Sequence, residues 1–197
     1  MFNRIVEVLS VPIMFLNMAS GIVGGIWLAI LGEWPLVGIG VLLVFTAHYY
    51  LSFLQLLGAP LILIAMHFYK KKNPLGHLFG FLSQFYTNLL IIGTCVFAFF
   101  VCMNFYDGEG KLGLIPYLLW SWDMALGPWY FFASHEPDNE FSAITLFSAS
   151  VFYLLFLVST FISPLLTVII LIIFGVVQLI VLPIFMMCIA NQTKDYY

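Results

Sequence analysis

Charge is what this chain has least of. Its 197 residues include six Lys or Arg and nine Asp or Glu, 8% in all, while 63% are hydrophobic. Soluble domains carry about 25% charged residues and about 45–50% apolar ones. A water-soluble fold of this size cannot hide so much apolar surface, so hydrocarbon must be the solvent for most of it. The net charge of −3 is spread thinly and excludes the basic patch that a nucleic-acid partner requires. Cysteine is scarce as well. Cys95, Cys102 and Cys188 lie in apolar runs, with no C-x-x-C pair and no zinc spacing. They read as small buried hydrophobes.

Catalytic and cofactor signatures are absent too. Asp107-Gly108-Glu109-Gly110-Lys111 resembles a glycine-rich loop, but the G-K-[ST] ending of a phosphate cradle does not follow. His135-Glu136 opens like a zinc-protease helix, yet Asn139 stands where the second histidine belongs. No nucleophile–base pair occurs at a recognisable spacing. No cofactor or resident metal is therefore expected, and the balance leans away from an enzyme.

What remains is a series of apolar runs of about 20 residues or more. They are too long for barrel strands and lack the period-2 alternation of a membrane barrel. The expectation is a single all-α domain over residues 1–197, a polytopic integral membrane helical bundle of about six transmembrane helices. The spans fall at about 12–31, 36–57 with a kinked extension to 69, 75–105, 112–133, 141–161 and 165–190. Gly58-Ala59-Pro60 marks the break that ends the second span, because the apolar stretch to Tyr69 is longer than a bilayer core of about 30 Å. Gly127-Pro128 predicts that the fourth segment is broken or kinked, or that it re-enters without crossing.

Two patterns concern helix packing and orientation. Asn17, Gly21, Gly25 and Ala29 recur every four residues and share one face of the first helix. Gly21-x-x-x-Gly25 is the spacing that lets two membrane helices approach backbone to backbone, within one chain or between copies. Lys70, Lys71 and Lys72 form the only dense charge run and read as a topology anchor. With six spans they join Arg4 and Lys194 in the cytoplasm, leaving only Lys111 outside. Both termini are then cytoplasmic, in what is expected to be a plasma or inner membrane. Trp27 and Trp34 fit an interfacial aromatic belt.

The one costly residue is Asp123. It lies in the middle of the fourth segment, more than ten positions from any other Asp, Glu, Lys or Arg. A carboxylate at that depth costs roughly 3 kcal/mol on insertion scales. Its candidate partners are His48 on the second segment, Gln84 and Asn88 on the third, and Asn17 on the first. Gln84 and Asn88 are i, i+4 and suit one hydrogen-bonding pair. A buried polar cluster of these five residues can fix helix register, or carry a proton in coupled transport. The acidic stretch at Glu136, Asp138 and Glu140 reads as a solvated loop that caps the fifth helix, or as a loose divalent-cation site.

Three function classes follow. The first is a non-enzymatic bundle acting as an accessory, scaffold or assembly component, in contact with the lipid bilayer and with copies of itself or other membrane proteins. The alternative is a small transporter or channel built on the Asp123 cluster, which predicts a hydrated pocket reaching that carboxyl. The third is a membrane enzyme on lipid substrates, with His77, His135 and Glu136 converging at one interface.

Overall fold

A computed structural model describes the chain over residues 2–108, 110–135 and 143–194. Among the described residues there is no strand, and the fold is an all-α bundle. The helices are α1 (Phe2–Leu31), α2 (Trp34–Phe45), α3 (Ala47–Lys70), α4 (Leu75–Phe105), α5 (Ile115–His135), α6 (Ala143–Ile162), α7 (Pro164–Val176) and α8 (Leu182–Lys194). A 3₁₀ turn at Lys111–Leu114 leads into α5, and a π-helical turn at Val177–Val181 joins α7 to α8. Five stretches are long and apolar enough to cross a membrane: Val8–Leu31, α3, α4, α6 and Pro164–Cys188. The side chains of Arg4, Glu7 and Lys194, and the acidic stretch with its proposed cap and cation site, lie outside the described residues.

Two of the connections use the same local device. α1 stops because Gly32 adopts φ +90°. Its amide then bonds the Ala29 carbonyl at 3.2 Å, and the Glu33 amide reaches back to Leu28 at 2.9 Å. This pair of reversed bonds caps the carbonyls that a helix end leaves bare. α3 ends identically at the lysine run. The Lys72 amide bonds Tyr69 at 3.0 Å and the Asn73 amide bonds Phe68 at 3.0 Å. Here Lys72 occupies the left-handed position, at φ 52°, that glycine takes in the first case.

Two expected breaks are corrected. The second span is interrupted at Thr46, and Gly58-Ala59-Pro60 lies inside a continuous α3. Thr46 has φ −94°, ψ 3°, and its hydroxyl donates to the Leu42 carbonyl at 2.6 Å. Such back-bonding bends helices. At the other site the helix survives because α4 supports it. Gly58 admits the Tyr86 ring, and the Tyr86 hydroxyl donates to Leu54 O at 2.8 Å. Membrane helices tolerate proline where neighbouring side chains hold the backbone in this way. The second correction is α5, which runs unbroken through Gly127-Pro128. It is packed on by α1, α2, α3, α4 and α6. That enclosure keeps the helix continuous across a residue that would otherwise cost about 3 kcal/mol in a helix interior.

α5 is the axis of the bundle. Between Pro116 and Phe132 only Leu119, Asp123 and Phe131 keep partial exposure. Trp129 is fully buried, and the central core gathers Leu28, Leu36, Leu51, Ile91, Tyr153 and Phe174 around it from the other helices. The outer helices turn their apolar residues outward, as Phe53, Leu56 and Leu63 do on α3 and Leu165 and Ile172 on α7. In water this surface would be untenable; in hydrocarbon it costs nothing. The location in a membrane follows.

Candidate functional site

The seam between α1 and α5 holds Asp123. Glycines make the room. A Cβ on Gly21 would lie 2.1 Å from Asp123 Oδ2, and one on Gly127 would lie 2.7 Å from Oδ1 and 3.4 Å from Val44 Cγ2. The carboxyl thus fills a niche that two hydrogen side chains leave open, with α2 closing one side. Further along the seam, Gly24 meets the Trp120 backbone, where a Cβ would be 2.7 Å from the amide nitrogen. Gly25 and Gly40 pinch the Trp120 ring from α1 and α2, with prospective Cβ contacts of 2.9 and 2.3 Å. The Trp120 indole N–H then donates to Leu36 O at 3.2 Å. The face carrying Asn17, Gly21 and Gly25 is therefore turned into this chain's own α5.

Asn17 lies in the same seam. It is fully buried, and its Nδ2 donates to Trp122 O, one residue before Asp123, at 3.0 Å. Its Oδ1 has no partner. No hydrogen bond or ion pair to the Asp123 carboxyl is formed among the described residues.

The other three candidates are placed elsewhere. Gln84 Nε2 donates to Asn88 Oδ1 at 3.2 Å, the i, i+4 pair that their spacing predicts. Asn88 Nδ2 in turn donates to the Gln178 carbonyl at 2.5 Å, in the π-helical turn. The reason is Pro183. The Leu182 amide bonds Val177 O, and proline five residues beyond Gln178 has no N–H to offer. Gln178 O is left without a helical donor, and Asn88 supplies one. The Gln178 side chain continues the chain of bonds, Nε2 donating to Ser148 Oγ at 3.2 Å on α6.

His48 sits in the first turn of α3. Its ring centre lies 6.1 Å from that of Phe132 and 6.0 Å from that of His135. Phe132 is nine residues beyond Asp123, a helical rise of roughly 13 Å. His48 is thus level with the last turn of α5, while Asp123 is near its middle. His77 packs edge-on against Tyr69, with ring centres 5.2 Å apart, next to the exposed Lys70, Lys71 and Lys72.

Several residues that matter here carry little signal in the sequence. Trp129 donates to Thr94 Oγ1 at 2.9 Å, the Tyr130 and Ser150 hydroxyls are 2.8 Å apart, and Tyr117 donates to Glu33 Oε1 at 3.1 Å. Each joins α5 to a different part of the bundle. The aromatic density of the segment is the available clue, because buried Trp and Tyr need a partner for their polar tips. A groove of about 300 Å³ opens between the α2–α3 bend and α4, lined by Leu43, Tyr50, Leu54, Leu90, Thr94 and Met124 among others. It is apolar, and Asp123 is not in its lining.

Chemically, this arrangement ties helices together. Among the described residues no three His, Cys, Asp or Glu side chains gather as a metal set. Searches of protein-family models, curated proteins and solved structures return no match to this chain.

Proposed function

We propose that the protein is a non-enzymatic, multi-pass membrane bundle that works through contacts with other membrane helices, as an accessory, scaffold or assembly component. One observation carries this reading. The buried amides bond the backbone carbonyls of neighbouring helices, Asn17 to Trp122 O and Asn88 to Gln178 O, and do not converge on one point. A site that binds or transforms a polar substrate keeps such groups free and aimed together. In the same reading the chain crosses a plasma or inner membrane six times, α5 included, with both termini and Lys70–Lys72 in the cytoplasm. Its surroundings are lipid together with partner helices or copies of itself.

Photo-crosslinkers at the exposed positions Phe53 and Leu63 test the proposal in cells. Discrete protein adducts, with a partner or with itself, are expected. Adducts to lipid alone at both positions, and at equivalent positions on α7, would count against it. Topology is checked by a cysteine placed at Asn73, which should react only with reagents that enter the cytoplasm.

The second reading, a small transporter or channel, is favoured by the Asp123 carboxyl standing without a bonded partner among the described residues. Reconstituted vesicles separate the two. A bundle of the first kind leaks protons no faster than empty vesicles, with or without Asp123→Asn. Flux that this substitution abolishes would replace the first reading with the second.

A further inference from the structure

We infer that His48 and His135 form a bis-imidazole site for a divalent transition-metal ion, linking the first turn of α3 to the last turn of α5. The inference is independent of whether the bundle is a scaffold or a transporter. The two ring centres are 6.0 Å apart and the planes are tilted by 48°. A ring nitrogen lies about 1.1 Å from its ring centre and Zn–N bonds are about 2.0–2.1 Å, so one ion joins imidazoles whose centres are up to roughly 6.3 Å apart. A tetrahedral angle at the metal needs a separation closer to roughly 5 Å. Closing that gap takes a shift of about 1 Å at the exposed helix end that carries His135.

Each ring keeps one nitrogen without a hydrogen bond among the described residues. His135 Nδ1 lies 2.8 Å from the Phe131 carbonyl. That contact selects the tautomer with the proton on Nδ1 and leaves the Nε2 lone pair available. A histidine held by a backbone carbonyl on one nitrogen is the usual posture of a metal ligand. On the other side, His48 Nδ1 is buried and has no hydrogen-bond partner. An orphaned buried nitrogen is costly unless something satisfies it, and a metal ion shared with His135 does so. Two neutral nitrogen donors suit zinc, copper or nickel and disfavour magnesium or calcium. The described residues bring no third ligand, so water completes the shell and binding is weak and reversible by chelators. Bound metal would pin α3 to α5 just beyond the bend at Thr46.

The test uses the full chain in detergent micelles, without a histidine tag, titrated with Zn²⁺ against a chromophoric chelator. The wild type should take up one equivalent. His135→Ala, at an exposed position, should fold normally and bind roughly tenfold more weakly or worse. His48→Gln should do the same, while a double His67→Ala, His77→Ala variant should bind as the wild type does. Zn²⁺ should raise the thermal unfolding midpoint of the wild type and leave that of His135→Ala in place. The inference is overturned if the wild type takes up no zinc, if His135→Ala binds as tightly as the wild type, or if the His67, His77 variant is the one that loses binding.

Discussion

α3 and α5 have similar lengths, 24 and 21 residues, and lie side by side. Their chemistry is inverted. α3 is apolar enough to count as a membrane span by composition, yet only Ala47, Leu51, Gly58 and Ala65 of its 24 residues are buried. α5 carries Trp120, Ser121, Trp122, Asp123, Trp129 and Tyr130, is not among the five spans picked out by composition, and is the most enclosed helix of the bundle. In water the more apolar helix would be the inner one. In a bilayer, lipid dissolves the leucines of α3 as well as protein would, so no force draws them inward. Polar and aromatic tips, small residues and a carboxyl are what lipid cannot satisfy, and these collect on α5 and on the faces that meet it. The difference teaches where to look for stability in this chain: in close approach and hydrogen bonding around α5, and hardly at all in the apolar outer surface.

That contrast can be broken in graded steps, read out as unfolding free energy in mixed micelles. The largest effect should come from Gly24→Val, whose side chain must enter backbone at 2.7 Å. Overpacking of this kind costs about 3 kcal/mol or prevents assembly. Gly38→Ala on α2, where nothing lies within 4 Å, should instead be neutral or stabilising by about 0.5–1 kcal/mol. A similar loss at both glycines would erase the distinction between seam and surface.

Asn88→Ala should cost about 1–2 kcal/mol, because it strips the donor from the Gln178 carbonyl that Pro183 has already deprived of one. If Pro183→Ala is introduced first, the π-helical turn should relax and the Asn88 effect should shrink. An undiminished effect would mean that the carbonyl is not the point of the contact. At the two matched helix ends, Lys72→Gly should stabilise by roughly 1 kcal/mol and Gly32→Ala should destabilise by a comparable amount. Both residues hold a left-handed backbone, at φ 52° and +90°. The smallest effect belongs to the outer surface: Leu56→Ala and Leu63→Ala should each change stability by no more than about 0.5 kcal/mol. A cost of 2 kcal/mol or more at Leu63 would show that this face is packed against protein.

Much of the helical layout is legible in the order of residues. The apolar pattern predicts a helix over 75–105, where α4 lies, and Ser163-Pro164 separates α6 from α7. Those boundaries are local. A lysine run followed by Asn73-Pro74, or a Ser-Pro pair between two apolar runs, ends a helix in almost any surroundings. The misplaced breaks share the opposite property. Whether Pro60 or Pro128 interrupts its helix depends on what is packed against it. Tyr86 supports one and the surrounding helices enclose the other. Thr46 gives no warning, since a threonine inside an apolar run bends the helix only when its hydroxyl turns back onto the preceding turn.

The candidate polar residues divide along the same line. Their cost in a membrane can be read from the sequence, and so can the Gln84–Asn88 pair, because helical spacing alone brings i and i+4 together. Which helix each one answers to cannot. Asn17 and Asp123 share the α1–α5 seam, Asn88 serves the turn at Gln178, and His48 faces His135.

Composition alone settled that this chain dissolves in lipid as a bundle of helices, because the free energy of solvating apolar side chains and unpaired backbone does not depend on how the helices are arranged. Only the tertiary structure decided that α5, a long helix outside the five candidate spans, is the centre, that Gly21 and Gly127 make way for the Asp123 carboxyl, and that the ring centres of two histidines 87 positions apart in the sequence lie 6.0 Å apart. Those are facts about contact between distant segments, fixed by the order in which helices surround one another, and no local pattern of residues encodes that order.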